Sequence, residues 1–184
     1  MTEERPSIFL EWLKAAVLGV ILFLIMNTFL FSSYVVEGQS MEPTLKEGNR
    51  LVVNKIGYQI GDIERFDVIV FHGEEEEDYV KRVIGLPGDT LTYENDQLYI
   101  NGTKMDEPFL KPFKDPLLGQ KLTGDFTLEE LTGKKRVPEN ALFVMGDNRL
   151  GSKDSRHFGF IPIEDVVGKV NVRYWPFKQF NIEF

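Results

Sequence analysis

An unbroken run of 17 residues without charge, Ala15 to Phe31 (A-A-V-L-G-V-I-L-F-L-I-M-N-T-F-L-F), constrains this chain more than anything that follows it. Ile8, Phe9, Leu10, Trp12 and Leu13 extend it backwards to about 20 residues, the length of a helix that spans a bilayer. Trp12 and Tyr34 stand near its two ends, where interfacial aromatic rings are expected. A cleaved leader would be shorter and would close on a small-x-small pair, and none closes this run. The rest of the chain is not apolar enough to surround it as a core helix. The expectation is a retained transmembrane anchor within residues 1–34. Arg5 and Lys14 precede the run, and only Lys46 falls in the fifteen residues after it. That bias puts the N-terminus in the cytoplasm and residues 35–184 on the outer face of the cell membrane.

Residues 35–184 suffice for one domain with a real core. Their pattern is short strands and turns. Arg50 to Ile56, Phe66 to His72, Tyr79 to Ile84, Thr90 to Tyr93, Gln97 to Ile100, Ala141 to Met145 and Val166 to Trp175 have strand length and β-branched or alternating composition. Gly57 to Gly61 and Gly85-Leu86-Pro87-Gly88-Asp89 read as turns, and Asn101-Gly102 favours a tight hairpin. Gly73 to Asp78 holds four adjacent glutamates and reads as a solvated connection. Residues 105–137 carry three prolines without a clear period and read as an irregular insertion, with Thr127 to Leu131 as one helical turn. The fold class expected is mainly β, an antiparallel sheet or barrel-like catalytic domain behind the anchor.

A net charge of −8 without a basic stripe argues against a nucleic-acid partner. The absence of cysteine removes a thiol nucleophile and Cys-ligated zinc. Two histidines, His72 and His157, make a multi-histidine metal site improbable. No cofactor is called for.

Three polar stretches remain in which chemistry can sit. The first is V-V-E-G-Q-S-M-E-P-T-L, Val35 to Leu45. Gly38 two before Ser40 and Pro43 three after it mark a turn that holds a hydroxyl in a fixed pose. A nucleophilic serine needs a base. His157 lies beside Asp154 and Ser155, but neighbours in sequence do not make a triad, which is a matter of geometry. Lys81, in Y-V-K-R-V-I-G-L-P-G-D, is the other candidate. Alternation puts Tyr79, Lys81 and Val83 on one face of a strand and Val80, Arg82 and Ile84 on the other, so one cation must share a face with apolar residues. A lysine there either snorkels or pairs with the glutamates before it, or loses its proton and serves as a base. An arginine cannot be deprotonated and cannot serve. The third stretch, Gly146 to Arg156 (G-D-N-R-L-G-S-K-D-S-R), is a surface turn in which Ser152 is placed to hold a base. In the same turn Asp154 and Arg156 can form a bracing ion pair, and Asp147 and Asn148 can bond the backbone.

Together the three stretches resemble the bacterial type I signal peptidases (leader peptidases), Ser-Lys dyad proteases. The resemblance lies in the anchor, G-x-S-M-x-P-T-L at Gly38 to Leu45, V-K-R-V-I-G-L-P-G-D at Val80 to Asp89, and G-D-N-R-x-x-S-x-D-S-R at Gly146 to Arg156. It implies a membrane-bound serine endopeptidase that removes signal peptides from secretory precursors at small-x-small sites, with the precursor and the lipid bilayer as partners. It implies Ser40 as nucleophile, Lys81 as general base and Ser152 as the hydroxyl that orients the amine. Asp154 and Arg156 align with a structural ion pair and Asp147 with an acid of the last motif. Val36, Leu45, Tyr79 and Val80 fall where the family lines shallow substrate pockets, and Gly38 and Met41 flank the nucleophile within the same contact set. Some members have a serine at the position of Gly38, whose hydroxyl helps hold the oxyanion. The alternatives are another Ser-Lys protease, such as a self-cleaving repressor relative, or a tethered β domain without activity.

Overall fold

The computed structural model describes residues 8–29, 31–55, 63–73, 77–114, 121–182 and 184. One helix, α1 (Ile8–Phe29), leads into eleven strands: β1 (Phe31–Val35), β2 (Arg50–Asn54), β3 (Val68–His72), β4 (Asp78–Gly85), β5 (Leu91–Glu94), β6 (Gln97–Ile100), β7 (Thr103–Met105), β8 (Phe126–Thr127), β9 (Ala141–Met145), β10 (Ile161–Pro162) and β11 (Val166–Trp175). Seven form an antiparallel sheet in the order β1-β2-β11-β3-β4-β9-β10, and four form a smaller one in the order β7-β6-β5-β8.

The large sheet curls because its long strand does not pair straight. β11 pairs with β2 at one end and β3 at the other, with register shifts at three points. Each shift adds twist and bend. β3 and β9 sit inside the sheet and bury both faces, which explains their unbroken apolar runs. Val68 and Val70 enter one cluster with Val36, Met41, Leu45 and Val53, while Ile69 and Phe71 enter another with Val83, Leu142 and Val144. Phe143 and Met145 face a third, shared with Leu91, Tyr93 and Leu98 of the small sheet. The small sheet is therefore fastened to the back of β9.

The mainly β, antiparallel architecture is as expected, and β6, β9 and β11 have the expected bounds. The Asn101-Gly102 turn has φ of 51° and 78°, the geometry a two-residue hairpin favours. The expected helical turn is Leu128–Thr132, capped by Thr127 and Glu130 together. Two boundaries differ. The boundary expected after Tyr34 falls inside β1, which pairs along its whole length with β2, Phe31 opposite Asn54 and Val35 opposite Arg50. The second sheet begins at Leu91, ahead of the irregular segment, because alternation does not say which sheet a hairpin joins. The turn expected at 57–61 and the glutamates at 74–76 lie outside the described residues.

Through Phe23, the last α1 residue whose side chain is described, large apolar side chains are exposed on all sides of α1, Phe9 at 76%, Trp12 at 73% and Leu18 at 57% among them. Among the described residues, no helix is long and apolar enough to cross a membrane.

Candidate active site

The turn after β1 is held from below. Met41 and Leu45 are 1% and 0% exposed, and Leu45 N–H donates to the Met41 carbonyl at 2.9 Å. Four residues apart on one turn, both side chains enter the core and leave Ser40 at the surface of the cluster. These two do not line the cleft, as the resemblance implied. They are its foundation.

Lys81 reaches Ser40 from β4, opposite Ile69 of β3. Its Nζ lies 2.9 Å from Ser40 Oγ and 3.0 Å from the Val80 carbonyl, and 5.4 Å from the centre of the Tyr79 ring, on the face alternation assigns it. The side chain is 5% exposed. Burial brings its pKa from the ordinary 10.5 down to about 8, with the negative charge of Asp154 opposing part of the fall. The amine does not snorkel, and among the described residues it pairs with no glutamate upstream. Neither histidine touches Ser40. His72 pairs with Asp78 at 2.7 Å, and His157 is the third residue of the one-turn helix Ser155–Phe158, in a capping box with Asp154.

Arg82, one residue on, points the other way. Its Nε and Nη2 donate to the two oxygens of Asp147 at 2.8 and 2.6 Å, and its guanidinium stacks 4.0 Å from the Phe109 ring centre. The pair is 1% and 0% exposed, and Thr44 donates to Asp147 at 2.5 Å. Asp147 therefore ties the third motif to the first and second motifs, where turn-internal bonds were expected of it. Removing one partner strands a buried charge, so Asp147→Ala is expected to destabilise the protein by about 3–5 kcal/mol. Arg82→Met in the same chain should recover much of that loss, as read by denaturant unfolding.

Asp154 and Arg156 form the expected ion pair, with both nitrogen–oxygen distances 2.9 Å. Burial pushes the Asp154 carboxyl up, but Arg156 and the Gly146 N–H more than offset this and hold it below its ordinary range. Asp154 Oδ2 accepts that N–H at 3.0 Å. Asn148 does brace the turn, accepting the Gly151 N–H, and it also donates to the carbonyls of Gln39 and Ser40 at 3.1 and 3.0 Å. Ser152 is 6% exposed, and its Oγ sits beside Asp154 without a hydrogen bond of good geometry. It does not bond Lys81 in this arrangement.

Tyr34 to Ser40, Leu51, Val70, Glu77 to Lys81, Gly151 and Lys153 line a cleft of about 440 Å³. Val36, Gly38, Tyr79 and Val80 of the expected substrate contacts are among them. Ser40 itself lines this cleft, and its N–H has no protein acceptor among the described residues. Gly38 has φ +74°, so a serine there would be strained in this backbone. Among the described residues no three carboxylate or imidazole groups converge on a point a metal ion would occupy.

Thr44 and Arg149 stand in the quoted motifs without a role assigned to them there, and Glu107 lies outside the motifs. Only the charge of Arg149 and Glu107, at positions otherwise read as loop, hinted at buried pairing.

The profile of the signal peptidase, peptidase S26 family matches residues 9–175. The chain is 65% identical over 159 residues to signal peptidase I of Bacillus caldolyticus, covering 86% of this chain and 87% of that one. It is 44% identical over 179 residues to signal peptidase IB of Staphylococcus aureus (strain MRSA252), covering 95% and 94%. A crystal structure of signal peptidase I from Enterococcus faecalis V583 matches with a TM-score of 0.57 and 44% identity, covering 60% of this chain and 97% of that one. The chain therefore belongs to the signal peptidase S26 family, and it is a serine endopeptidase of the signal peptidase I kind.

Proposed function

We propose that this enzyme removes signal peptides from secretory precursors at the outer face of the cell membrane, with Ser40 as nucleophile and Lys81 as general base. The observation that carries this reading is the 2.9 Å approach of a buried, easily deprotonated amine to Ser40 Oγ. Neutral Lys81 takes the hydroxyl proton as Oγ attacks the scissile carbonyl. The oxyanion is met by Ser40 N–H, an otherwise unused donor. Lys81 gives its proton to the leaving amine, and an ester joins Ser40 to the signal peptide. Water attacks that ester with Lys81 again as base, which frees Ser40. Ser152, whose buried hydroxyl lacks a partner at rest, turns to the ammonium formed during each attack. Val36, Gly38, Tyr79 and Val80 line a shallow cleft suited to small side chains on either side of one variable residue.

The anchor runs through α1, with the N-terminus in the cytoplasm and the catalytic domain following from β1. The exposed apolar side chains around α1 support this, since water gives them no partner. Trp175, Phe177, Phe180 and Ile182 are also exposed, at the end of β11 that borders β2, and favour a lipid surface alongside.

The test is cleavage of a secretory precursor by the full chain in lipid vesicles, wild type beside Ser40→Ala. Wild type is expected to release the signal peptide and Ser40→Ala to release none. Because only the neutral amine accepts a proton, the rate is expected to rise with pH through about 8 and then level. Cleavage by Ser40→Ala, or a rate that climbs only near the ordinary lysine pKa, would sink the assignment.

A further inference from the structure

Among the described residues, the most deeply buried charged group outside the Ser40–Lys81 pair and its braces is Arg149, 2% exposed. All three nitrogens of its guanidinium are engaged. Nη2 pairs with Glu107, Nη1 donates to Tyr93 OH at 2.8 Å and Thr123 Oγ1 at 3.1 Å, and Nε donates to the Gly146 carbonyl at 3.0 Å. Tyr93 OH donates in turn to Glu107 at 2.7 Å. Tyr93 lies on β5, and Glu107 follows β7, so three of these partners belong to the small sheet and its connections. The fourth belongs to the loop behind the nucleophile.

Gly146 is where that loop meets the site. A β-carbon there would stand well inside 3 Å of both Ser152 Oγ and the Ser40 carbonyl oxygen. The backbone of the third motif thus passes against the nucleophile turn with no room to spare. Its position is set on both sides by charged groups, the amide by Asp154 and the carbonyl by Arg149. Asp154 is part of the motif itself. Arg149 refers the same residue to a different sheet.

We infer that Arg149 is a positioning residue for the cleavage reaction, a strut through which the small sheet, by way of Glu107 and Tyr93, fixes Gly146 and with it the relative placement of Ser40 and Ser152. The inference rests on the Ser40–Lys81 reading. It gives the small sheet a part in the chemistry that its distance from the cleft conceals. Arg149 does not line the substrate cleft, so its loss acts on the chemical step and leaves substrate binding in place.

A buried arginine is also structural, and the test separates the two roles. In Arg149→Met with Glu107→Gln no buried charge is stranded, so the melting temperature is expected to return close to that of wild type. Gly146 still lacks its donor. The kcat for a peptide with an Ala-x-Ala cleavage site is therefore expected to stay at least about tenfold down, with KM within about twofold of wild type. Arg149→Lys keeps a charge for Glu107 but cannot fork to four acceptors, and is expected to fold with a kcat similarly reduced. A folded double variant or a folded Arg149→Lys with wild-type kcat overturns the inference, as does a loss confined to KM. Ser40→Ala in the same assay separates the underlying reading. Cleavage by that variant removes the dyad assignment, and the inference with it, whatever the Arg149 variants do.

Discussion

Lys81→Met and Lys81→Arg are each expected to cut precursor cleavage by roughly 10³- to 10⁶-fold, the range for losing a general base or a nucleophile's partner. Arginine keeps the charge and nearly the length but holds its proton at every accessible pH, so it should fail as completely as methionine. Stability should move the other way. The folded protein keeps a desolvated amine whose pKa is about 8, whereas the unfolded chain holds the same proton up to about 10.5. Between those values the unfolded state binds more protons, so folding stability rises with pH across that window. Below pH 8 the full penalty applies, about 3 kcal/mol at 1.36 kcal/mol per pH unit. Methionine fits the same apolar slot without it. Lys81→Met is therefore expected to be more stable than wild type at pH 7, by up to about 3 kcal/mol, with the gap closing as pH rises past 10. Denaturant unfolding at pH 7 and pH 10.5 reads this directly. An inactive variant no more stable than wild type would mean that the amine is not desolvated.

Gly146→Ala should have the second largest effect. The added methyl would lie well within 3 Å of the Ser40 carbonyl oxygen and the Ser152 hydroxyl, where contacts of 3.4 Å and above are ordinary. Ser152 Oγ can rotate away, although its β-carbon, also inside 3 Å of the methyl, stays. The Ser40 carbonyl cannot, because it is backbone and accepts the Asn148 N–H at 3.0 Å. The first and third motifs must then separate by the better part of an ångström. A misplacement of about 1 Å costs on the order of 10² in rate. The prediction is a kcat lower by about that factor in a protein that still folds, measured with the Ala-x-Ala peptide. Near-wild-type turnover would show that the two motifs have slack between them.

What the sequence made legible, and what it hid, divides by the range of the interaction. Ala141 to Met145 and Val166 to Trp175 were readable because burial on two faces or a long alternating run is a local property. β1 was not, because F-S-S-Y-V continues an apolar run and only its pairing with Arg50–Asn54 makes it a strand. β10 is two residues long and has no pattern to read. At the site, Ser40 and Lys81 stand in motifs with enough fixed neighbours to be singled out as candidates. Most of their supports stand in the same motifs, but the motifs do not say which groups they meet. Thr44 meets Asp147 across 103 residues and Arg149 meets Glu107 across 42, and neither periodicity nor spacing says which buried cation finds which carboxylate. Met41 and Leu45 show the converse: the resemblance implied substrate contact, whereas their spacing of four is what roots the turn.

One strand carries both cations side by side, Lys81 toward Ser40 and Arg82 toward Asp147. Alternation has a hard consequence here. If β4 paired one position out of step, every side chain would change faces, and a permanently charged guanidinium would arrive where a base is required. Such a chain would bury comparable apolar area and yet be chemically silent. The Arg82–Asp147 pair makes that outcome expensive, because a slipped strand leaves the carboxylate of Asp147 buried and alone. In effect β4 has a reading frame, and the ion pair behind it works as the proofreader. If Ser40 and Lys81 act as proposed, catalytic competence is set when the strand locks into register during folding, before any substrate is met.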